Sequence, residues 1–263
     1  VILSDELNHS SIIEACRLSG AKILIYKHND INDLAKKIQE RKKATKFVAT
    51  EGIFSMDGDL AELKQISELT EKNNAVLILD DAHGDFTIGD DGRGSANYCG
   101  VEKKIDVYIS SLSKGLGSFG GYVASGSSVV DLCINKARSF IYTSALPSFL
   151  VDITMQRLGQ NREKQRKKLG KNVLHLLDGL LKIGYDVKSK THIIPIIIGN
   201  ERKALEFGRF LYENGVFAQP IRYPTVAKNS ARLRVSVTAW LENSHIEYAL
   251  DVFERAGKKF KVF

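Results

Sequence analysis

Cysteine is scarce, at three in 263 residues, and Cys16, Cys99 and Cys133 follow no disulfide or metal-ligand spacing. That excludes a disulfide framework and a zinc site, and it fits a reducing, cytoplasmic setting. Long apolar runs are missing too. The longest, such as Ala75-Val-Leu-Ile-Leu79, are strand-sized, far short of the roughly 18 residues that a membrane span needs. No basic stretch followed by an apolar core opens the chain, so nothing directs it to secretion. Internal repeats and low-complexity segments are absent, and 43% hydrophobic against 26% charged residues is the composition of a folded chain. The basic excess is modest, with 38 Lys and Arg against 31 Asp and Glu for a net charge of +7. These cations are dispersed except at Arg41-Lys42-Lys43, Arg166-Lys167-Lys168 and Lys258-Lys259, which read as solvated helix faces. Neither nucleic acid nor a membrane is expected as a partner, and no metal site is expected.

What is present is an alternation of strand and helix patterns. Strand-like runs at Val1 to Ser4, Ala21 to Tyr26, Lys46 to Thr50 and Ala75 to Asp80 are separated by helical patterns near Ser11 to Leu18, Ile31 to Gln39 and Ala61 to Glu71. Strands apolar on both faces that alternate with helices predict an α/β fold with a mostly parallel sheet covered by helices. Val107 to Ser110 and Gly121 to Ser125 predict two further strands around a Gly-rich turn. From Pro147 a long charged helical stretch begins. Beyond it lie strands at Thr191 to Ile198, Val216 to Ile221 and Arg232 to Val237, with helices over Glu201 to Asn214, closed by Gly215, and over Ser244 to Lys258. The expected boundary falls near Asn161 to Gly170, inside the long helix, giving a large domain over residues 1–165 and a smaller α+β domain over 166–263. A buried strand that starts at the first residue needs sheet neighbours from elsewhere, so the sequence reads as the later part of something longer.

Two segments carry chemistry. Leu79-Asp80-Asp81-Ala82-His83-Gly84 follows an apolar strand, and the carboxyl ends of parallel strands are where such sheets build sites. An acid and a His three residues apart there can face one ligand. For the pair alone, a helix-capping Asp80 and a merely structural His83 is an equal alternative. The second segment, Ser110-Ser-Leu-Ser-Lys114-Gly-Leu-Gly-Ser-Phe-Gly-Gly121, sets hydroxyls and small residues around one Lys. Such a turn can bind a phosphate, and a desolvated Lys in it can form a Schiff base with an aldehyde, whereas a lone Ser-x-Lys-Gly is more often a solvated surface turn. Taken together the two segments point to pyridoxal phosphate. That cofactor needs a Lys for its aldehyde, a carboxylate for its pyridine nitrogen and hydroxyls for its phosphate, and Lys114, Asp80 and Ser111 are those three parts.

At this point the chain resembles the α-oxoamine synthases, fold-type I pyridoxal-phosphate enzymes that join an amino acid to an acyl-CoA with loss of carbon dioxide. The resemblance rests on Ser4-Asp-Glu-Leu-Asn-His-Ser-Ser11, His28-Asn-Asp30, Thr50-Glu-Gly-Ile-Phe-Ser-Met-Asp-Gly-Asp59, Asp80-Asp-Ala-His-Gly84, Gly92-Arg-Gly-Ser95, Ser113-Lys-Gly115, Tyr142-Thr-Ser-Ala-Leu-Pro147 and Ala231-Arg-Leu-Arg234. It implies Lys114 as the Schiff-base residue, Asp80 as partner of the pyridine nitrogen and His83 as hydrogen-bond donor to the phenolic oxygen. It further implies that His9 stacks on the ring and is suited to touch substrate, that Ser55 bonds the cofactor, and that Ser111 holds its phosphate. Thr143 and Ser144 match a segment that in the family reaches the phosphate of the neighbouring subunit, which implies a homodimer. Arg234 matches the residue that grips the substrate carboxylate, and Thr225 a substrate contact.

Within the family, the Asp-Asp-Ala-His-Gly form, His28-Asn-Asp30 and Gln219-Pro-Ile-Arg-Tyr-Pro-Thr225 point to the reaction of alanine with pimeloyl-CoA in biotin synthesis. The sister reaction of glycine with acetyl-CoA, or a silent partner subunit, is the alternative. In the implied reaction the amino acid displaces Lys114, whose freed amine then takes the α-proton. Glu51 and Asp57 read as loop-holding residues, Arg232 as an ion-pair partner, and His28 and His192 as structural. Tyr223, Lys228-Asn-Ser230, Trp240-Leu241 and Asp85-Phe86 depart from the family pattern. Family members also carry a segment ahead of the point matching Val1, so this stretch alone is expected to fold poorly and show little activity.

Overall fold

Parallel strands are built from residues apolar on both faces, and the first half of the chain is patterned in that way. In the computed structural model, which describes residues 1–41 and 43–263, the chain divides into two units, residues 1–54 with 60–162 and residues 55–59 with 163–263. Lys42, in the first basic cluster, lies outside the described residues.

The first unit carries strands β1 (Ile2–Asp5), β2 (Ile23–Tyr26), β3 (Lys46–Glu51), β4 (Ala75–Asp80), β5 (Val107–Ser111) and β6 (Gly121–Ser125). Its helices are α1 (Ser10–Leu18), α2 (Ile31–Gln39), α3 (Leu63–Lys72), α4 (Gly94–Tyr98), α5 (Ser127–Lys136), α6 (Arg138–Ile141) and α7 (Ser148–Leu158). The six strands form one sheet in the order β2-β1-β3-β4-β5-β6, parallel except for antiparallel β6. The parallel register places Glu51 beside Asp80 and Asp80 beside Ile109, so three strand ends align at one edge. Leu3, Val48, Leu77 and Leu79 of the strands are buried with Leu34 of α2 and Leu63 and Ile66 of α3. Asp30 caps α2, its carboxylate accepting the Asp33 amide at 2.9 Å.

The second unit carries α8 (Glu163–Ile183), β7 (Ile193–Gly199), α9 (Glu201–Glu213), β8 (Gln219–Ile221), β9 (Ala231–Ser236) and α10 (Asn243–Phe260). Its antiparallel sheet runs β7-β9-β8. The strand expected over Val216 to Ile221 shortens because α9 ends in a Schellman motif. Gly215 takes φ +75°, its amide donates to Tyr212 O at 3.0 Å, and the Val216 amide donates to Leu211 O at 2.9 Å. Those bonds commit Val216 to the helix end. The long helix expected after Pro147 is two helices, since Gly159 and Asn161, both poor helix formers, lie between α7 and α8. The core of this unit gathers Leu176 and Leu180, Phe207 and Leu211, Ile194, Ile196 and Leu233, and Phe253 and Ala256. Phe253 is 1% exposed and meets Tyr185 edge-on with centroids 6.1 Å apart. Phe253→Ala is expected to cost about 3–5 kcal/mol in chemical denaturation of this unit, the range for a buried aromatic lost to a cavity.

Among the described residues, no helix is long and apolar enough to cross a membrane.

Candidate active site

The C-terminal ends of β3, β4 and β5 open onto a cavity of about 180 Å³ lined by His9, Glu51, Asp80, Ser111 and Lys114, with Ser11, Ala82, Ile109 and Ser110 completing the wall. Position follows from sheet geometry. Asp80 is the last residue of β4, and alternation sends its carboxylate to one face and that of Asp81 to the other. The Asp80 carboxylate also holds its own loop, Oδ1 accepting the Ala82 amide at 3.1 Å. His83 follows in the turn, and its Nε2 lies 3.1 Å from Lys114 Nζ. The sequence spacing between these two does not foretell that contact, because the pairing of β4 with β5 makes it.

Lys114 sits in the turn between β5 and β6 and is exposed in this chain, so the desolvation considered for it is not supplied by the described residues alone. Ser111, the last residue of β5, has its hydroxyl 2.8 Å from that of Ser113 and accepts the Ser113 amide at 3.3 Å. A side chain at 115 would place Cβ 2.5 Å from Asp85 O, and one at 121 would place it 2.9 Å from Ser110 O. Glycine is what lets this turn lie close against the loop after β4.

His9 is the N-cap of α1, its Nδ1 accepting the Ser11 amide at 3.2 Å. Glu51, read as loop-holding, does hold a loop: its buried carboxylate accepts the His9 amide at 2.6 Å. It also lines the cavity, a placement that sequence reasoning missed. The available signal was its place at the end of β3, in register with Asp80. Asn8 helps from the same loop, its amide group donating to Ala49 O at 2.8 Å. His28 lies elsewhere, bonded to the buried Asp5 at 2.9 Å and edge-on to Phe54.

The structure does not bring every expected residue to this cavity. Thr143 and Ser144 are exposed in the segment after α6 and line no part of it. Ser55, Thr225 and Arg234 belong to the second unit. There, Arg234 Nη1 donates to Ser55 O at 3.3 Å, while its buried Nε has no hydrogen-bond partner among the described residues. An orphaned guanidinium donor is suited to a carboxylate that comes from outside the chain. Arg232 is engaged differently, paired with the Asp57 carboxylate. Thr225 is exposed, with its amide bonded to Arg222 O.

The first-unit cavity therefore offers an amine, an imidazole in contact with it, a carboxylate at a strand end and a hydroxyl pair. Such a donor set could hold pyridoxal phosphate, with the amine for its aldehyde, the acid for its ring nitrogen and the hydroxyls for its phosphate. Residues 1–253 match the family model described as aminotransferase class I and II.

The chain belongs to the aminotransferase class I and II family.

Relatives within the family narrow the comparison. The 8-amino-7-oxononanoate synthase of Thermoanaerobacter pseudethanolicus is 44% identical over 267 residues, covering 100% of this chain and 68% of that protein. Among solved structures, a serine palmitoyltransferase from S. paucimobilis with bound PLP and myriocin superposes with a TM-score of 0.95 at 27% identity, over 100% of this chain and 67% of that one. The 8-amino-7-oxononanoate synthase of Francisella tularensis gives a TM-score of 0.84 at 27% identity, over 100% of this chain and 76% of that one. The fold is that of the fold-type I pyridoxal-phosphate transferases.

Proposed function

We propose that this chain catalyses the pyridoxal-phosphate-dependent, decarboxylative condensation of L-alanine with pimeloyl-CoA, giving 8-amino-7-oxononanoate, CoA and carbon dioxide in biotin synthesis. The observation that carries the reading is one cavity lined by Lys114 and Asp80, with His83 3.1 Å from the Lys114 amine, in a chain 44% identical along its whole length to a synthase of that name.

When bound, the cofactor supplies an aldehyde for covalent attachment of the amino acid and a ring that accepts electrons. Lys114 would hold that aldehyde and, when free, its amine is placed to take the α-proton and return one. Asp80 would keep a proton on the cofactor's ring nitrogen, and His83 would hydrogen-bond its phenolic oxygen. His9 would cover one face of the cofactor ring, and Glu51 fixes the backbone that presents it. Ser111 and Ser55 bind the cofactor, Arg234 takes the substrate carboxylate on its unpaired Nε, and Thr225 contacts substrate. Thr143 and Ser144, exposed here, serve the cofactor phosphate of a second copy in a homodimer with shared sites. The setting is cytoplasmic.

The test is CoA release from alanine or glycine, each paired with pimeloyl-CoA or acetyl-CoA. The alanine and pimeloyl-CoA pair is expected to lead on kcat/KM by about tenfold or more, since one methylene in a fitted pocket is worth roughly 10- to 200-fold. A preference for glycine with acetyl-CoA would move the reading to that sister reaction. Failure of the protein to develop visible absorbance with pyridoxal phosphate would mark it as a silent subunit.

A further inference from the structure

Asp80 has a neighbour whose carboxylate does a different job. Asp81 is fully buried, and its Oδ2 accepts both the Ser95 amide at 2.7 Å and the Tyr108 hydroxyl at 2.8 Å. Its backbone is held as firmly. The Asp81 amide donates to Ile109 O at 2.8 Å, and its carbonyl accepts the amides of Gly84 at 3.0 Å and Asp85 at 2.9 Å. Around the carboxylate three glycines leave the room it fills. A Cβ at Gly52 or Gly84 would fall 2.2 Å or 2.1 Å from Oδ1, and one at Gly94 would fall 2.1 Å from Oδ2. These glycines come from three separate motifs, at the ends of β3 and β4 and at the start of α4, and the proposed catalytic roles account for none of them. One buried carboxylate is what they have in common.

We propose that Asp81 is the positioning residue of the site, its carboxylate clamping the turn after β4 to Tyr108 of β5 and to the α4 N-terminus so that His83 meets Lys114 beside the cavity that Asp80 lines. Other bonds hold the same turn, among them Thr87 Oγ1 to His83 O at 2.8 Å, the Phe86 amide to Gly92 O at 2.7 Å and Tyr122 of β6 to Asp85 Oδ2 at 2.5 Å, but the Asp81 carboxylate is what ties it to both β5 and α4. Without the Asp81 carboxylate, the glycine cradle becomes a polar void beneath the turn, and His83 loses its fixed distance to Lys114.

The charge state of the clamp is readable. The titratable groups that bear on Asp81 are Tyr108 from β5, Tyr122 from β6, Asp85 from the same turn and Cys99 just after α4. Burial pushes the Asp81 carboxyl up to about 7, against the hydrogen bonds from Ser95 and Tyr108 that pull it down. A carboxyl raised in the folded state favours folding while it is protonated. That contribution is full below the ordinary carboxylate range and is lost as pH rises towards 7. Asn at 81 imitates the protonated acid, keeping a carbonyl oxygen for Ser95 and Tyr108, and so should flatten this decline.

The inference rests on the cofactor reading above, and the test separates the two. Wild type, Asp81→Asn, Asp81→Ala and Tyr108→Phe are compared by thermal melting against pH, by the NMR titration of His83 without cofactor, and by the Kd for pyridoxal phosphate from visible absorbance. In folded Asp81→Ala, the His83 midpoint is expected to move by at least about half a pH unit and the Kd to rise at least about tenfold. Asp81→Asn should return both towards wild type and lose the fall in melting temperature between about pH 4 and pH 7. Folded Asp81→Ala with wild-type His83 titration and Kd overturns the proposal. Should Asp81→Ala fail to fold, Tyr108→Phe decides, because it removes one hydroxyl from the clamp: a shift of the same sign supports the proposal and an unchanged His83 titration overturns it. If wild-type protein gives no visible band, the cofactor reading alone fails and the His83 titration still decides the clamp.

Discussion

Lys114→Ala is expected to abolish the visible absorbance that wild-type protein develops with pyridoxal phosphate and to lower turnover by about 10³-fold or more. Among the described residues that line the cavity, Lys114 carries the one amine, and its Nζ lies 3.1 Å from His83 Nε2. Removing it takes away both the proposed covalent anchor for the aldehyde and the proposed base, and general base catalysis alone is worth roughly 10²- to 10⁴-fold. Folding should be untouched, since the side chain is exposed and surface substitutions of this kind stay within about 0.5 kcal/mol. Lys114→Arg should not rescue activity, because a guanidinium stays protonated and forms no Schiff base. A Lys114→Ala protein that keeps the absorbance and turns over normally would sink the proposed mechanism.

Asp80→Asn carries the second large effect. The substitution keeps the shape of the side chain and an oxygen to accept the Ala82 amide, so the loop geometry should survive. What it removes is the negative charge proposed to face the ring nitrogen. Taking one partner from an enclosed ion pair costs roughly 3–5 kcal/mol, which at about 1.4 kcal/mol per decade is a loss of about 10²- to 10³-fold in kcat. The measurement is steady-state kinetics with saturating pyridoxal phosphate, so that weaker cofactor binding does not masquerade as slower chemistry. Wild-type kcat in the Asp80→Asn protein would remove Asp80 from the ring-nitrogen role.

The contrast between Asp80 and Asp81 shows where the sequence is legible. Period-2 alternation places consecutive strand residues on opposite faces, and a β4 apolar on both sides announces a buried strand with a site at its carboxyl end. The α/β class, the strands β1 to β6 and the joint presence of Lys114, Asp80 and Ser111 follow from local pattern in this way. The burial of Asp81 in a cradle of Gly52, Gly84 and Gly94 does not, because Gly52 and Gly94 lie well away from Asp81 in sequence and reach it only when β3, β4 and α4 come together. The same holds for Glu51, which reads as a loop acid in isolation. It becomes a cavity wall and the acceptor for the His9 amide through the pairing of β1 with β3.

In the second unit the limits have a different physical source. Val216 has strand propensity, but a Schellman bond to Leu211 takes its amide first, so β8 is short. Arg232 and Arg234 share a face of β9 by alternation, and that much is sequence. Only the folded unit separates them, giving Arg232 the Asp57 carboxylate and leaving Arg234 Nε buried without a partner. The sequence by itself determined the class of fold and the set of chemical groups, because periodicity and residue type are local properties. Which carboxylate faces the cavity, which one clamps the turn and which guanidinium remains open to a ligand were decided by tertiary structure. Those outcomes depend on distances between segments far apart along the chain.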